Sequence, residues 1–73
     1  WIYGDYLIAY PSNPANLLDL IPAKELLFPI YKRSEIHILG LANGKKEAER
    51  VAAEMIKDVY QKTGGFRIRD YFG

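Results

Sequence analysis

Between Lys45 and Lys62 the apolar residues return at steps of three and four. Ala48, Val51, Ala52, Met55, Ile56, Val59 and Tyr60 mark one side, while Lys46, Glu47, Glu49, Arg50, Glu54, Lys57, Asp58, Gln61 and Lys62 mark the other. That is the spacing of an amphipathic helix with one buried face. It predicts a helix from Lys45 to about Lys62. Arg50 and Glu54 stand four apart, as do Asp58 and Lys62, and each such pair adds only ~0.2–0.5 kcal/mol. Asn43 or Gly44 can cap the start. Gly64 and Gly65 offer the left-handed conformation with which helices end.

Ahead of the helix, residues 35–42 read EIHILGLA. Ile36, Ile38, Leu39 and Leu41 leave little polar alternation, which suits a strand covered on both faces. Ile2 to Tyr10 is rich in Tyr and Ile, residues that favour strands. Pro11, Ser12, Asn13 and Pro14 end it with turn chemistry. Asn13 can cap a short helix with Pro14 at its first position, covering Ala15 to about Leu20, and Pro22 interrupts it. Pro22 can then open helical turns through Phe28, with an edge strand over Leu26–Tyr31 as the alternative. The Phe66-Arg67-Ile68-Arg69 alternation reads as a short third strand or as a tail docking its aromatics on the core.

Together these elements predict an α/β (α+β) domain over residues 1–73, a small two-layer sandwich. Two or three strands pack under one long C-terminal helix with one or two short helices. If residues 11–34 are a crossover between the two main strands, those strands are parallel. A single long helix cannot cover both faces of strand 35–42. The short helices or a second copy of the chain must do so, which is the physical reason to expect a homodimer.

Composition narrows the function classes. With 73 residues the domain buries roughly 60% of the surface its unfolded chain exposes. Six tyrosines, three phenylalanines and one tryptophan argue against disorder. There are no cysteines, so disulfides, thiolate metal sites and a cysteine nucleophile are excluded, and a reducing cytoplasm is favoured. No apolar run approaches the ~18 residues of a membrane span. A chain that starts at Trp1 rather than Met suggests a segment of something longer.

No residue pattern predicts catalysis. Gly40 to Lys46 lies between strand and helix, but it has three residues rather than four between Gly40 and Gly44, and Lys46 where a phosphate loop needs Ser or Thr. What remains is a helix start that favours anions, with Asn43, Gly44, Lys45 and Lys46 as its candidate residues, against the plainer reading of an ordinary turn with solvated lysines. His37, the one histidine, shares a face with Leu39, Leu41 and Glu35. It lacks the ligand set of a metal site and reads as a partly buried structural residue. Ser12, Ser34 and Thr63 have no catalytic motif around them, and Ser12 and Ser34 sit where turn and cap residues belong. Asp5 and Asp19 are isolated. Lys32, Arg33, Arg67 and Arg69, with Tyr3, Tyr6, Tyr10, Tyr31 and Tyr71 to stack bases, form a candidate nucleic-acid set. The formal charge of only +1 argues against a dedicated binder.

Ile38-Leu39-Gly40, Glu47-Ala48, Val59-Tyr60, Thr63-Gly64 and Arg69 with Tyr71-Phe72 resemble the C-terminal half of a group of small proteins from Gram-positive gut anaerobes. The resemblance spans residues 38–72, rests on no catalytic motif and transfers no site. It implies a bacterial intracellular protein. The expectation from all of this is a non-enzymatic interaction module, self-associating or bound to another protein, without cofactor or membrane partner. An anion binder and a nucleic-acid accessory protein are the alternatives.

Overall fold

The computed structural model describes residues 4–13, 15–27 and 36–72. In chain order these form strand β1 (Asp5–Ala9), strand β2 (Asp19–Pro22), a 3-10 helix (Ala23–Leu27), strand β3 (Ile38–Asn43), helix α1 (Lys45–Thr63) and the short helix α2 (Ile68–Phe72). The expected two-layer α+β architecture is present: one three-stranded sheet with α1 packed against all its strands.

The strands run differently from the crossover expectation. The sheet order is β2-β1-β3, and β1 is antiparallel to both neighbours. The reason lies in residues 11–18. Asn13 does supply cap chemistry, since its Oδ1 accepts the Ala15 N–H (2.9 Å) and its carbonyl accepts the Asn16 N–H (2.9 Å). That closes one turn, and no helix follows over Ala15–Leu20. Pro22 drives Ile21 to extended geometry, so Asp19–Pro22 becomes a strand returning along β1. Proline is tolerated there because β2 is an edge. Asp19 fastens the turn by accepting from both the N–H and the hydroxyl of Ser12, each at 2.9 Å. The helical turns expected after Pro22 are the 3-10 helix, while the alternative strand over Leu26–Tyr31 falls largely outside the described residues. The third strand is therefore β2. The Phe66–Arg69 segment instead leads into α2 and forms its first residues, and α2 docks Ile68 into the core.

Among the described residues β3 is an edge strand, and they do not cover both of its faces. The pairing slips between Ile8↔Gly40 and Ala9↔Ile38, leaving Leu39 as the extra residue of a bulge. Leu39 packs towards the core around Tyr10, Val59 and Ile68, and Ala42 is buried. Ile38 and Leu41 are 51% and 63% exposed. At Gly40 a Cβ would lie 2.9 Å from Met55 Cε and 3.8 Å from Ile8 Cδ1, so the bare glycine lets α1 settle on the sheet.

Helix α1 follows its expected bounds. Ala48, Ala52 and Val59 are buried on the sheet side, but Tyr60, read as part of that face, is exposed and stacks on Phe66 with ring centroids 5.1 Å apart. Arg50 pairs with Glu54 at 3.1 Å. Lys62 makes no ion pair with Asp58 and instead lies 5.7 Å over the Tyr71 ring. Tyr71, by hydrogen bonding and charge, and then Asp58 hold its ammonium above the usual lysine value. At the far end Gly64 takes the left-handed conformation (φ 74°) and donates its N–H to the Tyr60 carbonyl at 2.8 Å. Gly64→Ala is expected to cost roughly 1–2 kcal/mol, the penalty of a Cβ in that conformation. Gly65→Ala, at a position without positive φ or close neighbours, should be neutral or stabilising by up to ~1 kcal/mol. Paired thermal melts measure the contrast, and equal effects would contradict the cap.

Candidate functional site

The turn from β3 into α1 holds the anion candidates. Asn43 ends β3, Gly44 is the N-cap, and Lys45 and Lys46 open the helix as exposed residues. No side chain caps the helix. Instead the Glu47 carboxylate reaches back past the N-cap and accepts the Asn43 N–H. The negative charge that a helix start favours is thus supplied beside it by the chain itself. Glu47 was legible as an acidic residue in the first turn, yet nothing in the spacing showed its side chain turned back over Asn43.

The candidate acidic and nucleophilic residues are held apart. Asp5 opposes Asn43 at one end of β1 and Asp19 opposes Ala9 at the other, so the two carboxylates share no site. Thr63 donates its hydroxyl to the Val59 carbonyl at 2.7 Å, within the helix end. Ser34 and Glu35 lie outside the described residues. Among the described residues no group of three or more His, Asp and Glu side chains could hold a metal ion.

His37 departs from its expected place. It precedes β3 and is exposed rather than partly buried. Its carbonyl accepts the Tyr10 N–H at 3.1 Å, which continues the β1–β3 pairing by one step. Its ring lies 5.5 Å from that of Tyr10, tilted by 51°. The strand pattern had turned inward a side chain that the bulge at Leu39 leaves in solvent.

Of the nucleic-acid candidates, Lys32 and Arg33 lie outside the described residues, and Arg67 and Arg69 come together. Both line an open groove of about 340 Å³ whose walls include Pro11, Leu17 and Phe66. Arg69 places its guanidinium 4.5 Å over the Tyr10 ring. Arg67 pairs with Asp70 at 3.5 Å in full solvent, an arrangement worth ~1 kcal/mol at most. A second depression, of about 410 Å³, is lined by Tyr10, His37, Leu39 and Phe72. Sequence reasoning missed the stacked Tyr60–Phe66 pair beside this groove and the outward Ile38–Leu41 pair on β3.

No family model, no curated protein and no solved structure matches the chain. Among the described residues no helix is long and apolar enough to cross a membrane.

Proposed function

We propose that this protein is a non-enzymatic interaction module of the bacterial cytoplasm that pairs with a second copy of itself along the open edge of β3. One observation carries the reading: the two edges of the sheet are treated differently. Edge strands invite pairing, and proteins blunt them with charge, proline or brevity. β2 has all three, being four residues long with Asp19 at one end and Pro22 at the other. β3 has none. From Ile36 to Gly44 the only ionisable side chain is His37, and Ile38 and Leu41 project their side chains into water beside the edge.

A second copy is the partner that suits this edge. Antiparallel pairing about a two-fold axis sets the same patch against itself, so any charge on β3 would meet its own like. An uncharged strand meets no such repulsion. The pairing would continue the sheet through both protomers and bring each Leu41 close to the axis. Light scattering over a range of concentrations tests this. The expected mass is twice the 8.4 kDa of the chain, and Leu41→Asp is expected to return it to that of one chain with the helical circular dichroism unchanged. Leu41 is 63% exposed, so its replacement should not unfold the protomer. A wild-type monomer at every concentration would overturn the proposal.

A further inference from the structure

The groove beside α2 carries side chains of a different kind from those of the β3 edge, which it approaches through Tyr10 and His37. Tyr60 and Phe66 are each 52% exposed and stacked on one another. Phe66 forms part of the groove wall together with Arg67 and Arg69. Arg69 lies over Tyr10, and Tyr10 also neighbours the exposed ring of His37. Aromatic rings therefore flank the two arginines on this path: the Tyr60–Phe66 stack beside Arg67 in the groove, and Tyr10 with His37 beyond Arg69. We infer that this path binds single-stranded nucleic acid, with bases stacking on Phe66 and His37 and with Arg67 and Arg69 on the intervening phosphates.

Each group is available for that role. Among the described residues Arg69 has no carboxylate partner; its one contact is the Tyr10 ring, which leaves the guanidinium edge free to donate. Arg67 is bound to Asp70, which also lines the groove, only by a largely exposed pair, which a phosphate can replace at small cost. Asp19, at the loop that forms the groove's other bank, is already taken up by two donors of Ser12. The low net charge of the chain limits long-range attraction, so the expected binder is short-ranged and modest in affinity. Stacking is blind to sequence because every base has a face to offer. A duplex hides those faces, so the site should discriminate by strandedness.

The test is fluorescence anisotropy of labelled oligo(U) and oligo(dT), each beside a duplex of the same length. Binding of either single strand, stronger than the duplex, is expected. Two neutralised phosphates predict a loss of about sevenfold between 50 and 200 mM salt, from a slope of about −0.7 per phosphate. Arg67→Glu with Arg69→Glu should abolish binding. Lys45→Glu with Lys46→Glu, the same change in net charge at the other end of α1, should leave it within about twofold, since those lysines make no phosphate contact. Phe66→Ala should weaken binding at least fivefold, the lower end for one stacked base. Circular dichroism of each variant guards against misfolding, and all the replaced side chains are exposed. RNA preferred over DNA, or the reverse, supports the site and names its natural strand. Equal binding of duplex, equal loss in both charge-reversed variants, or binding of an acidic peptide in place of the oligonucleotides would each overturn it.

Discussion

Replacing Ile8 with alanine is expected to destabilise the protein by about 2–5 kcal/mol, the range for truncating a buried isoleucine. Ile8 is fully buried on the central strand, opposite Leu20 on one side and Gly40 on the other. Its δ-methyl reaches the space that Gly40 leaves open beneath Met55. Neither neighbouring strand can move inward to fill the void without breaking its pairing with β1. A chain of 73 residues has roughly 4–11 kcal/mol of stability in all, at 0.05–0.15 kcal/mol per residue. The substitution thus removes a large share and should move the urea midpoint far down. Leu27→Ala, at a side chain 63% exposed, should stay within about 0.5 kcal/mol. Both are to be measured at one protein concentration, because self-association would itself contribute to stability. A loss at Ile8 no larger than that at Leu27 would contradict the sheet order.

The second large effect is expected at Gly44. Its backbone (φ 98°, ψ 160°) lies where only glycine rests without strain, and the N-terminus of α1 starts from it. Any L side chain there should cost of order 1–3 kcal/mol. Nothing lies within 4 Å of the position its Cβ would take, so the penalty is conformational and not steric. Gly44→Ala, Gly44→Ser and Gly44→Val should therefore lose similar amounts in chemical denaturation. A loss that grows with side-chain size would point to crowding instead. The losses should also be the same in phosphate and in chloride, since the Glu47 carboxylate already takes the Asn43 N–H.

What could be read from the residues, and what could not, follows the range of the interactions involved. Helix α1 was legible to within a residue because its signals are local: a repeating apolar face, Gly44 before it and Gly64 after it. β1 was legible from its tyrosines and isoleucines. β2 was not, because Asn13 and Pro14 begin a helix and a closed turn in the same way. The choice is made by Asp19 clasping Ser12 seven residues back. Once that clasp turns the chain, the antiparallel order follows. The bulge at Leu39 was equally hidden, since a slip in register belongs to two strands at once, and with it went the exposure of His37 and Leu41. Arg67 and Arg69 were singled out as a pair. That Phe66 and Tyr10 would frame them depends on α2 folding back over β1's end, through Ile68 beside Tyr10 and Val59.

Tyr10 belongs to two regions at once. Its ring is part of the buried cluster with Val59 and Ile68, yet it also carries Arg69 on the outside. A ring wedged into a packed interior cannot swing away, so the guanidinium above it rests on a fixed surface. Whatever rotational freedom that arginine gives up to rest there is given up when the chain folds, and it need not be lost again on binding. The interior thereby sets how sharply the exterior is defined: loosening Val59 would blur the position of a charge that never touches it.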